Sequence, residues 1–239
     1  MTEFPPTAAE RLRVGGLVPL TTLDFPGQLA CVLFCQGCAW RCGYCHNPEL
    51  IRKGAAYDIP WPELLAFLQR RRGLLDAVVF SGGEATLQPA LPAAIQQVRE
   101  LGFKVGLHSA GIKPGSLQRV LPLCDWVGFD VKALEEETTM ITGISGSGQA
   151  NWRSLELLLG SQVAYECRTT VHWQLFDCRR LQRLAERLAG LGVSHFVVQQ
   201  VRSQRMLDPN LGPSITPPEA EALWPYMQQL FPRFELRSA

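Results

Sequence analysis

The amino-acid sequence predicts an α/β fold, an open barrel of six strand–helix units. Three observations lead there. Six apolar, β-rich runs alternate with segments of helical periodicity, the pattern of a parallel sheet. The chain has 239 residues and six such units, where a closed barrel needs eight units and typically ~250 residues. Hydrophobic residues make up 46% and charged residues 19%, enough apolar surface for a packed core and too little charge for a disordered chain.

Taken in order, Ala30–Cys35 reads as a buried strand. A helix follows over Pro62–Arg72, with proline in its first turn and Gly73 just past its end. Asp76–Phe80 is the second strand, broken by Gly82-Gly83. Leu91, Ile95 and Val98 share a helical face that stops at Gly102. Phe103–Leu107 is the third strand, Ser116–Leu121 a short helix and Trp126–Val131 the fourth strand. Helical patterns at Glu135–Ile141 and Trp152–Leu159 flank a Gly/Ser-rich break at Gly143–Gly148. Val163–Val171 is the fifth strand. Asp177 is placed to cap a helix whose Leu181, Leu184, Leu188 and Leu191 share one face. Val193–Val201 is the sixth strand, followed by a polar loop over Arg202–Ser214. Thr216-Pro217-Pro218-Glu219 reads as a capping box that starts a final helix toward Leu230. No domain boundary is read. Residues 1–28 form an N-terminal extension or hairpin, 29–201 the barrel core and 202–239 a C-terminal loop and helix.

Composition excludes some partners. Lys and Arg number 23 against 22 Asp and Glu, a net charge of +1, so no basic field exists to draw nucleic acid. The longest apolar runs are strand-sized, well short of the ~20 residues of a bilayer span. The first residues have neither a basic start nor an apolar stretch, so no signal peptide is read and a cytoplasmic location is expected.

In sheets of this kind ligands bind at the carboxyl ends of the strands. Polar groups collect there. Ser81-Gly82-Gly83-Glu84 follows the second strand, His108-Ser109-Ala110-Gly111 the third and Asp130-Val131-Lys132 the fourth. Glu166, Arg168 and Thr170 lie on one face of the fifth. A buried Arg168 needs an acceptor, and Glu166 or a ligand carboxylate would serve. Behind the first strand comes a cysteine cluster. Five of the eight cysteines lie between Cys31 and Cys45, and Cys38, Cys42 and Cys45 are spaced C-x3-C-x2-C. Three thiolates on one loop suit a [4Fe–4S] cube with one iron left open for chemistry. Adding Cys35 would make a closed four-thiolate zinc or electron-transfer site, but zinc pairs are usually further apart. Cys31, Cys35, Cys124, Cys167 and Cys178 read as small buried hydrophobes.

The cysteine spacing, with Tyr44 before its last member, resembles the radical S-adenosylmethionine (radical SAM) superfamily. Asp24-Phe25-Pro26-Gly27, Gln36-Gly37-Cys38 and Cys42-Gly43-Tyr44-Cys45-His46-Asn47-Pro48 resemble the glycyl-radical-enzyme activases. Within those the chain is most similar to the anaerobic ribonucleoside-triphosphate reductase activating proteins. The resemblance implies a partial barrel of the radical SAM kind and a [4Fe–4S] cluster on Cys38, Cys42 and Cys45. It implies S-adenosylmethionine on the open iron, and a 5′-deoxyadenosyl radical that takes hydrogen from a glycine Cα of a partner enzyme. The implied partners are a glycyl-radical enzyme, anaerobic ribonucleotide reductase foremost, and an electron donor such as flavodoxin or ferredoxin. Other glycyl-radical enzymes such as pyruvate formate-lyase, or a small-molecule role like that of 7-carboxy-7-deazaguanine synthase, are the alternatives.

The same resemblance assigns Gly82, Gly83 and Glu84 to the methionine amino group, Asp130 and Lys132 to the cofactor or substrate, Arg168 to the cofactor, and Tyr44 to the adenine. His46 is expected to orient the loop through a hydrogen bond. Two positions depart from the activases: Ala85 replaces a proline, and His108-Ser109-Ala110-Gly111 replaces Asp-Thr-Asn-Gly, which puts a cation site in doubt. His108 is kept as a candidate. Each assignment has a plain structural alternative: a turn for Gly82-Gly83-Glu84, a rim ion pair for Asp130 and Lys132, and a core side chain for Tyr44 and for His108.

Overall fold

The computed structural model describes residues 7–52 and 58–238; the first six residues of the predicted extension lie outside them. Eight strands form one sheet in the order β1-β2-β3-β4-β5-β6-β7-β8. They are β1 Val14–Thr21, β2 Ala30–Cys35, β3 Ala77–Gly82, β4 Lys104–Ser109, β5 Trp126–Asp130, β6 Ala164–Val171, β7 His195–Gln200 and β8 Arg233–Arg237. The helices are α1 Trp61–Arg70, α2 Leu91–Glu100, α3 Pro114–Val120, α4 Thr138–Thr142, α5 Ser147–Leu159, α6 Cys178–Gly190 and α7 Leu223–Leu230. β1 is antiparallel to β2. The pairs β2–β3, β3–β4, β6–β7 and β7–β8 are parallel. This is an open α/β barrel, as the alternating pattern predicts. Among the described residues no helix is long and apolar enough to cross a membrane.

The chain divides into two compact units. The first comprises Met1–Ala39, Glu49–Ser109 and Gly115–Val127, the second Trp40–Pro48, Ala110–Pro114 and Gly128–Ala239. Alternation along β2 and β3 builds the first core. Ala30, Val32, Ala77 and Val79 pack with Phe25 and Trp126, whose rings stack at 5.3 Å. In the second unit α6 buries Leu181, Leu184, Ala185 and Leu188. The Asp177 side chain accepts the Arg180 amide at 2.8 Å and caps that helix as expected.

The structure corrects four readings. Two strands flank the six predicted. β1 was obscured by Gly15, Gly16 and Pro19, all strand-breaking residues. It is an edge strand, where a proline costs no shared ladder bond. β8, Arg-Phe-Glu-Leu-Arg, is too charged to read as a strand; its charges find partners on β6 and β7. The capping box at Thr216 does not form. Its hydroxyl instead accepts from Trp173 Nε1 at 3.2 Å and Gln200 Nε2 at 3.1 Å. A 3-10 turn over Pro218–Ala222 therefore precedes α7. α5 begins at Ser147, inside the predicted break. Cys178 is not buried: it opens α6 at intermediate exposure.

Candidate functional site

In the first unit the turn after β3 lies directly on the base of the cysteine loop. Gly83 N donates to Cys35 O at 2.9 Å and Glu84 N to Gly37 O at 2.8 Å. The far side of the loop is held by Gly37 N on Leu50 O at 2.7 Å and Cys38 N on Ile51 O at 3.1 Å. The two glycines are needed for this approach. Gly82 has φ +113, and a Cβ there would strike the Cys35 backbone. At Gly83 a Cβ would stand 2.5 Å from the Gly37 carbonyl oxygen. The turn thus sets the height of Cys38 above the strand ends.

Glu84 is almost wholly buried, 1% exposed. Its Oε1 accepts from Thr86 Oγ1 at 2.5 Å, Ser109 Oγ at 2.8 Å and Thr86 N at 3.2 Å. The last of these caps the 3-10 turn Ala85–Leu87. Three donors on one oxygen fix the orientation of the carboxylate. Thr86 carried no motif signal, and Ser109 was flagged only as part of the strand-end segment after His108, since a hydroxyl's role here depends on where Glu84 sits. His108 donates from Nε2 to the Asp24 carbonyl at 2.9 Å, and its Nδ1 lies 3.3 Å from the Ser81 hydroxyl. A carbonyl only accepts, so Nε2 carries a hydrogen. It packs edge-on to Trp126 at 5.7 Å and pins the Asp24-Phe25-Pro26-Gly27 turn to the ends of β3 and β4.

In the second unit Cys42, Tyr44 and Cys45 share one tight turn, with Cys45 N donating to Cys42 O at 2.9 Å. The loop after β7 holds that turn. Asp208 N donates to Gly43 O at 2.9 Å and Arg202 N to His46 Nε2 at 3.2 Å. His46 therefore does orient the loop, as a neutral acceptor; burial lowers its pKa. Beside the turn stands a charged cluster. Lys132 Nζ lies 2.9 Å from Asp130 Oδ2, and Arg168 Nε 3.0 Å from Asp130 Oδ1. Arg168 also donates to Gly128 O at 3.1 Å. The acceptor of Arg168 is thus Asp130. Glu166, the protein acceptor considered above, is held by Arg237 through bonds of 2.7 and 2.8 Å.

Two cations share one carboxylate here, and the side chains of Lys132 and Arg168 are only 11% and 8% exposed. Burial works to lower the Lys132 pKa, but Asp130, Tyr44 and Cys42 together outweigh it and the net shift is upward. Asn151 on α5, which no motif flagged, organises this corner. It is fully buried, its amide donates to Ala110 O at 2.7 Å and Asp130 O at 2.9 Å, and its oxygen accepts Lys132 N at 3.2 Å.

The thiols fall into two classes. Burial pushes Cys31, Cys35 and Cys124 up to about 12, which makes them inert packing groups. Cys38, Cys42 and Cys45 are all part-exposed. Burial raises the Cys42 thiol while the neighbouring Lys132 ammonium lowers it. Among the described residues no three His, Cys, Asp or Glu side chains converge to hold a single metal ion. A four-iron cluster asks for less, because each thiolate binds its own iron. Accessible thiols beside an ammonium, surplus positive charge and the unpartnered buried hydroxyl of Tyr44 fit a cluster that carries a carboxylate-bearing ligand.

Comparison with known proteins agrees. Residues 32–172 match the profile of the Radical SAM superfamily. A Methanocaldococcus jannaschii protein, provisionally named a glycyl-radical enzyme activating enzyme, is 28% identical over 183 residues, covering 72% of this chain and 74% of that one. The pyruvate formate-lyase-activating enzyme of Clostridium pasteurianum is 32% identical over 130 residues, 52% of this chain and 54% of its own. The chain thus spans about half the length of that relative. Among solved structures, native anSMEcpe with bound AdoMet superposes with a TM-score of 0.65 at 15% identity, covering 84% of this chain and 62% of that one. That match speaks for the fold.

Proposed function

Since the chain belongs to the radical SAM superfamily, we propose that it is an activating enzyme for a glycyl-radical enzyme, and that the partner is anaerobic ribonucleoside-triphosphate reductase. The observation that carries the reading is the second unit's charged corner, where Cys42, Tyr44 and Cys45 stand beside Lys132, Asp130 and Arg168. The names of the relatives support an activase, and Cys45-His46-Asn47-Pro48 favours it over a small-molecule enzyme.

The cofactors are a [4Fe–4S] cluster and S-adenosylmethionine, with Cys38, Cys42 and Cys45 as the thiolate ligands. Bound together, and given an electron from a reductant, they would supply the chemistry of hydrogen-atom removal from a glycine Cα. The chain's own residues bind and orient. Glu84, fixed through Oε1, receives an ammonium group. Lys132 and Arg168, with one carboxylate between them, receive a carboxylate. Gly82 and Gly83 set the position of Cys38, and Asn151 that of Asp130 and Lys132. Flavodoxin or ferredoxin is the proposed electron donor, and the cytoplasm, where thiols stay reduced, the proposed setting.

The test is anaerobic reconstitution with iron, sulfide, dithionite and S-adenosylmethionine. Release of 5′-deoxyadenosine supports the reading, and none overturns it. Incubation with candidate partners then decides among them: the electron-spin-resonance doublet of a glycyl radical is expected on ribonucleotide reductase. A doublet only on pyruvate formate-lyase would reassign the partner. A modified purine precursor, with no protein radical, would favour the 7-carboxy-7-deazaguanine synthase alternative.

A further inference from the structure

Tyr44 is the one residue among those described with a buried side-chain polar atom that has no hydrogen-bond partner. The residue is 4% exposed and sits on the turn between Cys42 and Cys45. A buried hydroxyl without an acceptor has given up its hydrogen bonds to water with nothing in return. Phenylalanine would fill the same space without that cost, so the hydroxyl calls for a partner from outside the polypeptide. The neighbours say what kind. Lys132 Nζ lies 5.8 Å from the centre of the Tyr44 ring, and the same corner holds two cations against one carboxylate. An O–H donor beside surplus positive charge suits an oxygen acceptor of full or partial negative charge.

We propose that the Tyr44 hydroxyl donates a hydrogen bond to an oxygen of the bound S-adenosyl compound, and that it is left unsatisfied until that ligand arrives. The inference rests on the S-adenosylmethionine reading above and adds to it a function for the hydroxyl, apart from the ring. Two oxygen-bearing groups of the ligand share this chemistry, the amino-acid carboxylate and the ribose.

The variant Tyr44→Phe separates ring from hydroxyl, with two readouts. The melting temperature of the cluster-free protein is expected to equal or exceed that of wild type, since an unpaired hydroxyl has been removed. Binding of S-adenosylhomocysteine to cluster-loaded protein, at matched iron content, is expected to weaken about three- to tenfold. 5′-Methylthioadenosine, which lacks the amino-acid portion, tells the sources apart. Equal binding to both proteins assigns the carboxylate, and the same weakening assigns the ribose. S-adenosylhomocysteine binding within twofold of wild type overturns the proposal. So does a cluster-free melting temperature that drops by more than about 3 °C, because the hydroxyl would then have a protein acceptor. If wild type binds neither compound, it is the S-adenosylmethionine reading that fails.

Discussion

Asn151 shows how far a single side chain reaches in this molecule. Its three hydrogen bonds join α5 to the ends of two strands, so the backbone that carries Asp130 and Lys132 is set from a helix. Asn151→Ala leaves two part-buried carbonyls and one buried amide without that partner. A loss of about 1–3 kcal/mol of stability is expected, read as a lower urea midpoint. Because the cations lose their registration, S-adenosylhomocysteine binding should weaken by tenfold or more, beyond what the lost stability explains. Asn151→Asp keeps the acceptor for Lys132 N but not the donors, and should fall between. The cysteines give the complementary prediction. Cys42→Ala or Cys45→Ala should abolish the visible absorbance of the reconstituted cluster. Cys35→Ala, which removes a thiol held neutral by burial, should leave it. Loss of cluster in the Cys35 variant would reinstate the closed four-thiolate site.

At the scale of elements, β8 owes its place to charge. Glu166 on β6 is 1% exposed, and Arg237 on β8 reaches it with two bonds while also meeting Glu235. Removing Arg237 strands a buried carboxylate, so Arg237→Ala should cost about 3–5 kcal/mol, and the double variant Arg237→Leu with Glu166→Leu should recover most of it. The same strand makes stability depend on pH. Burial would raise the Glu235 carboxyl, but hydrogen bonds from Arg237 and Arg233 override it and bring it to about 2, against an ordinary 4.5. Its contribution is present above pH 4.5 and is lost as pH falls toward 2. His195, which faces Glu235 at 3.2 Å, is lowered from 6.5 by burial and then by Arg233. Below pH 6.5 the unfolded chain therefore takes up a proton before the folded one does. Both groups give the same sign: stability falls on acidification. Thermal melts from pH 8 to 4 should show the decline beginning near 6.5, and His195→Gln should flatten its upper part. A rise in melting temperature below pH 6.5 would contradict the assignment.

For the molecule as a whole, what could be read in advance was whatever depends on local pattern. The alternation of β2 through β7 with helices is written in apolar periodicity, and the cysteine spacing is a one-dimensional signal. Pairings across the fold were not legible. Arg168 announced that it needed an acceptor, but nothing local says that Asp130, rather than Glu166, comes within 3.0 Å of it. Thr216 has the residues of a helix cap, yet Trp173 and Gln200 claim its hydroxyl. β8 looks like a charged tail until Glu166 and His195 are set beside it. Asn151, found only in the structure, shares that origin, and so does the bond of Ser109 to Glu84: each matters through a distant partner. A site assembled from such contacts is present in the folded chain and absent from the unfolded one, so its ligands must stabilise the fold by mass action. At a concentration 100 times its Kd, S-adenosylhomocysteine should add about 2.7 kcal/mol. For a chain of 239 residues that corresponds to a melting temperature about 5–11 °C higher. The rise should grow with the logarithm of ligand concentration and shrink in Tyr44→Phe and Asn151→Ala. A rise that saturates at once, or that is equal in all three proteins, would place binding outside this corner.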